Sequence, residues 1–189
     1  MARFAETLLP LINQDQDKSI ESVQEELATF KTTYLNYWYE GMSKKLGLCT
    51  IEESDQELID QLLKIMEEAE ADFTNTFRAL TLDDLSEEPA LSCSKEFSEW
   101  HNYWKQRLTR QPQTTEEVLQ LMKQHNPAII PRNHRVEEAL DAAVEDGDYS
   151  VLNKLVHVLN DPFAYTPEQE AYKHGPGDEG KDYRTFCGT

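Results

Sequence analysis

Five histidines, three cysteines and a dense set of carboxylates are the side chains of this 189-residue chain that could do chemistry. His101, His125, His134, His157 and His174 form no HExxH motif and no pair four residues apart, the spacing that turns two imidazoles toward one ion. They give no metal site. Glu52, Glu53, Asp55, Glu57, Asp60, Glu67, Glu68, Glu70 and Asp72 could in principle serve as ligands or as an acid/base pair, but their spacing describes a solvated helix face better. EDGDY, residues 145–149, lacks the ligand alternation and closing glutamate of a calcium loop and reads as the turn of a helical hairpin. No glycine-rich phosphate loop, no GxSxG and no Cys–His pair at a recognised spacing occurs. The residues by themselves assign no catalytic group and no metal ligand. Tyr34, Tyr37, Trp38 and Tyr39, like Trp100 and Trp104, read as packing side chains rather than a base-stacking platform.

Two features stand apart. Arg132, Asn133, His134 and Arg135 form a basic spot between a proline-marked turn and a helix. Asn133 can cap that helix, yet cations are unfavourable at the positive end of a helix dipole, and the conflict marks the segment as a candidate interface for a partner. The second feature is Cys187 in the polar ending GKDYRTFCGT, a poor place to bury a thiol. Cys49, Cys93 and Cys187 are too widely spaced for a CxxC zinc site, and an odd number allows at most one internal bridge. Prenylation requires cysteine one position earlier than Cys187.

The elements that must position these residues are helices. Ile20, Val23, Leu27, Phe30, Tyr34, Trp38 and Met42 step by three or four residues, with Gly47 as terminator. A capping box, Ser54 with Glu57, opens the stripe from Leu58 to Leu80, which is expected to break near Asp72. The turn-rich 81–93 has room for one helical turn at most. Phe97, Trp100, Trp104 and Leu108 share one face of a further helix. Thr114 and Glu117 box the next, which stops at Pro127. Residues 132–159 read as a hairpin with Gly147 in the left-handed position and Asp148 as cap of its second helix. Strand alternation is absent. The expected fold is all-α, a compact bundle of about six to seven helices, over residues 1–163, with an extended tail, 164–189, ordered only where something else holds it.

Composition narrows the partners. With 18 Lys+Arg against 36 Asp+Glu, the formal charge of -18 repels a phosphate backbone, so nucleic acid is not an expected partner. The 39% hydrophobic content is enough for a core. No apolar run approaches the roughly 20 residues of a membrane span, and the start MARFAETLLPLINQDQD lacks the features of a signal peptide. An intracellular location without a membrane partner is expected.

NPAIIPRNHRVEEALDAAVEDGDYSVLNKLVHVLNDPF, with LLPLI (residues 8–12) and GMSKKLGL upstream and YRTFCGT at the end, resembles the C-terminal region of the selenoprotein O family. The resemblance implies a kinase-like fold that binds ATP with magnesium in inverted orientation and transfers AMP to Ser, Thr or Tyr of protein substrates. It implies that the ATP-binding and catalytic motifs lie in a preceding region that this sequence does not contain, so no catalytic residue carries over and no cofactor is expected in this chain. The expected partner is that kinase-like N-terminal region of the same polypeptide, and the setting is a bacterial cytoplasm. One family feature falls on Cys187, which stands where animal members carry selenocysteine and bacterial members a cysteine thought to regulate activity by pairing near the active site. Whether Cys187 forms such a disulfide is left open. The competing reading is a stand-alone helical interaction module that grips an acidic peptide through Arg132–Arg135.

Overall fold

The computed structural model describes residues 2–177. Among these there are nine α-helices, one 3-10 helix and no strand, so the chain is all-α. The helices are α1 (Ala2–Ile12), α2 (Gln16–Lys45), α3 (Asp55–Glu68), α4 (Phe73–Leu82), α5 (Pro89–Ser92), α6 (Lys95–Leu108), α7 (Thr115–His125), α8 (Asn133–Glu145) and α9 (Ser150–Leu159). The 3-10 helix is Pro167–Tyr172. The count exceeds the expected six to seven by α1, by the single-turn α5, which lies where one helical turn is allowed, and by the 3-10 helix, a short segment without periodicity. The expected break holds: Asp72 is extended (ψ 122°), and its side chain accepts from the Asn75 amide at 2.9 Å to cap α4.

The chain separates into two compact units, one up to Met42 and one from Ser43 onward, the division falling within α2. In the first, α1 and α2 form a helical hairpin. Through Gly41, Ser19 is the one described residue of this unit withdrawn from solvent, its hydroxyl bonded to the Asn13 and Asp15 carbonyls.

The second unit holds the core. α3 packs on α6, α4 on α7, α5 on α6 and α8 on α9. Leu58, Ile59 and Leu62 of α3 meet a ladder of aromatics on α6, where Phe97, Trp100 and Trp104 are all buried. The two indoles stack at 5.9 Å and 7°. Each also donates to a carbonyl, Trp100 to Leu58 at 2.8 Å and Trp104 to Leu46 at 3.0 Å, so their polar edges are satisfied inside the core. The two tryptophans are core, as the sequence indicates.

Next on that stripe, beside the half-buried Leu108, comes Arg107. Arg107 is fully buried, and its Nε and Nη2 clamp the buried Asp55 carboxylate at 2.7 and 2.9 Å, with Nη2 also reaching the Thr50 carbonyl. Asp55 is therefore not part of a solvated face. Its other bond, from the Glu52 amide at 2.8 Å, closes the turn before α3. Ser54 sits in helical conformation and makes no side-chain cap, so the capping box expected there is absent. The Thr114–Glu117 box is present in full. Gly47 has φ +71°, and a Cβ there would meet Val118 at 2.6 Å, so the end of α2 requires glycine on both counts. Asn126, also fully buried, donates to the Lys45 carbonyl at 2.7 Å and the Thr81 hydroxyl at 2.9 Å and ties the end of α7 to α4.

Arg107→Ala strands the buried Asp55 carboxylate and should destabilise the chain by about 3–5 kcal/mol. Replacing Arg107 and Asp55 together by apolar side chains should cost much less. Urea unfolding of the three forms decides this, and equal losses for single and double variants would contradict it.

Candidate functional site

The richest polar constellation gathers around the basic segment before α8. Arg132 is extended (ψ 128°) at the position preceding Asn133, which puts its guanidinium beside the N-terminus of α4. There it grips Asp72 with two bonds, Nη1 to Oδ2 at 2.7 Å and Nη2 to Oδ1 at 3.1 Å. Nη2 also donates to the Lys173 carbonyl at 2.9 Å. Arg135 pairs with Glu138 at 2.8 Å, donates to the Ala171 carbonyl at 3.3 Å and lies over the Tyr172 ring at 5.8 Å. Asn133 is exposed and caps nothing, and His134 is half-buried with Nδ1 buried and unpartnered. The dipole conflict read from the sequence is answered by Asp72 and Glu138, which neutralise the two cations.

Residues 165–173, the described start of the expected tail, are held by this segment as a strap. Tyr165 adopts φ +56°, and its hydroxyl donates to the Asn126 carbonyl at 2.8 Å. Gln169, buried, donates to the Val158 and Asp161 carbonyls at 3.0 and 2.7 Å and thereby closes the end of α9. The Asn75 side-chain amide donates to the Lys173 carbonyl at 3.2 Å. Lys173 is itself buried, its ammonium bonded to Glu170 at 2.6 Å and paired with Glu87, while Arg78 pairs with the same two carboxylates. Arg78, Glu87, Glu170 and Lys173 line a small charged cavity of about 280 Å³.

The electrostatics of the clasp run in two directions. Burial alone would raise the Asp72 carboxyl, but the Arg132 hydrogen bonds, the Asn75 amide and the Arg132 charge outweigh it and hold the group below its usual value. The Lys173 bond lowers Glu170. For Lys173, desolvation opposes the charge, yet Glu170 and Glu87 prevail and raise it. Glu88 goes the other way. Desolvation first, then the neighbouring charges of Asp72 and Glu87, push its carboxyl up.

Every strong cation of the clasp has a carboxylate, and among the described residues no group of three or more His, Cys, Asp or Glu is placed to hold a metal ion. Cys49 and Cys93 are free and exposed, and Cys187 lies outside the described residues. Gly147 has φ +64°, so EDGDY is a hairpin turn, and the Asp148 carboxylate accepts from the Ser150 amide at 2.8 Å one position ahead of the helix cap. Sequence reasoning named Asp72 without its partner and missed Glu87, Glu170 and Lys173, because their partners are far along the chain or lie within a segment without periodicity. Among the described residues no helix is long and apolar enough to cross a membrane.

The model of the family described as protein adenylyltransferase SelO matches residues 1–160. The chain belongs to this family. Among curated relatives, the proteins named protein nucleotidyltransferase YdiU from Bacillus cereus and Brevibacillus brevis are 51% and 52% identical over all 189 residues. The Bacillus thuringiensis protein of the same name is 50% identical over the same span. The chain spans 38% of the length of each of these SelO-family relatives. Both Arg132 and the strap's anchors on α4, α8 and α9 fall inside the region matched by the SelO model, whereas the strap itself follows it.

The sign of each shift sets the pH behaviour of the clasp. Asp72 and Glu170, held low, contribute stability that is present above the ordinary carboxylate range and lost as pH falls through their depressed values. Lys173, held high, contributes below the ordinary lysine range, and its contribution is lost as pH rises through the raised value. Glu88, held high, opposes folding once ionised, so Glu88→Gln should raise stability at neutral pH and lose that advantage in acid. Arg132→Ala should free the strap, lowering stability by about 1–3 kcal/mol and exposing residues 165–177 to protease. Urea midpoints across pH and limited proteolysis test both. A Glu88→Gln advantage that persists in acid well below the ordinary carboxylate range, or a strap still protected in Arg132→Ala, would refute this account.

Proposed function

We propose that this chain is the helical C-terminal portion of a protein adenylyltransferase. In this reading the whole protein uses ATP and magnesium to transfer AMP to hydroxyl groups of protein substrates in a bacterial cytoplasm. The nucleotide site belongs to a kinase-like region outside this chain, and the helices brace that region without catalysing by themselves. The observation that carries the reading is family membership over residues 1–160 in a chain that spans 38% of its relatives. It is supported by the absence from the sequence of any phosphate-binding loop.

The same reading gives Cys187 a redox role. Lys173, the last anchored residue of the strap among the described residues, precedes the thiol by 14 positions, a span of at most about 50 Å when fully extended. That chain length bounds the set of partners within reach of the thiol. Redox regulation through Cys187 follows: oxidation would join it to a second thiol, and reductant would release it. The alternative, an independent module gripping acidic peptides through Arg132–Arg135, finds less support, because Arg132 and Arg135 already hold Asp72 and Glu138.

The test is AMP transfer from labelled ATP. The complete protein should label protein substrates, whereas the 189 residues alone should not; labelling by the isolated chain would overturn the reading. In the complete protein Cys187→Ser should abolish the response to reductant while leaving the reduced-state rate within about twofold. An unchanged redox response removes the role proposed for Cys187.

A further inference from the structure

The two helices of the first unit carry an apolar face that this unit does not cover. Phe4, Leu8 and Ile12 of α1 and Val23, Leu27 and Phe30 of α2 line a groove of about 470 Å³, in which Glu26 is the one charged residue. The face continues beyond the groove. Leu11 is 82% exposed, Tyr37 71% and Tyr34 54%. Hydrophobic side chains exposed singly need no explanation, but a contiguous stripe over two helices marks a surface that is normally covered.

The energetics make the same point. α1 has 11 residues, includes Pro10 and buries none of its side chains. A helix of that length is marginal in water even with the best composition, so most of its stability must come from packing. The hairpin partner α2 supplies one wall of the groove only.

Resting on the function proposed above, we infer that the α1–α2 groove is the docking site for an apolar helix face from the part of the complete polypeptide that lies outside this chain. Two observations choose that occupant. The relatives match this chain along its whole length and yet extend well beyond it, so most of each relative's polypeptide is available to cover the groove. A second copy of this chain is the poorer candidate, since it would bring another formal charge of -18 against the first. A largely apolar groove between two helices suits an amphipathic helix laid along it, with anchors at i, i+3 or i+4 and i+7.

The experiment is hydrogen exchange on two molecules: the 189-residue chain, and the same chain substituted for the corresponding segment of the Bacillus cereus relative. Amides of α1 and of α2 between Ile20 and Tyr37 should exchange at least about 100-fold more slowly in the joined protein, while those of α3 and α6 change little. Leu11→Asp with Phe30→Asp in the joined protein should remove that added protection. Equal protection of α1 in the two molecules overturns the inference. So does protection in the isolated chain that rises with its concentration alongside a dimer mass in light scattering, because the occupant would then be a second copy. AMP transfer is read separately: a joined protein that protects the hairpin but transfers no AMP sinks the catalytic reading and leaves the docking site standing.

Discussion

The Arg132 guanidinium and the Asp72 carboxylate meet where three pieces of chain end: α4 begins at Asp72, α8 begins beyond Arg132, and the strap closes on the Lys173 carbonyl beside them. A carboxylate at the start of α4 is favoured by the helix dipole and by the Asn75 amide, and the same charge offsets an arginine placed at the unfavourable end of α8. Arginine suits this joint because its planar fork serves both carboxylate oxygens and still has a donor for a carbonyl. Lysine could not make all three bonds in that geometry.

From this joint the second unit can be followed in both directions. Toward the core, α4 carries Phe77 and Leu80 inward and shares Asn126 with the end of α7. Beyond it, α3 and α6 are fixed by Arg107 on Asp55 and by two indoles bonded to carbonyls. Toward the C terminus, Arg78, Glu87, Glu170 and Lys173 form a closed charge network of the kind in which each ion is compensated by neighbours rather than by water. An acidic chain thus concentrates several of its few cations at one place, where they order a segment with no hydrophobic periodicity of its own.

That concentration bears on function. A basic cluster on an acidic surface invites assignment as a partner site, but here the cations are turned inward and hold residues 165–173. An apolar surface without a cover lies on α1 and α2. The two kinds of patch have different consequences: charged groups can be satisfied within a chain by a few well-placed counterions, whereas an apolar stripe is satisfied only by area.

The all-helical class, the break at Asp72, the Thr114–Glu117 box, the turns at Gly47 and Gly147 and the family itself were legible in the sequence, because helical periodicity, caps and left-handed glycines are local and leave a mark within a few residues. The 3-10 helix was not, since a segment of six residues opening on proline carries too little periodicity to read. Nor was the fate of the charges. Arg107 follows Phe97, Trp100 and Trp104 on one stripe, a position that could have announced a buried cation, but its partner Asp55 is 52 positions away. Asp72 and Arg132 are 60 apart, and Asn75 and Lys173 are 98 apart. Whether a charge faces water or an opposite charge depends on which distant element is packed beside it, and only the tertiary structure brings those elements together.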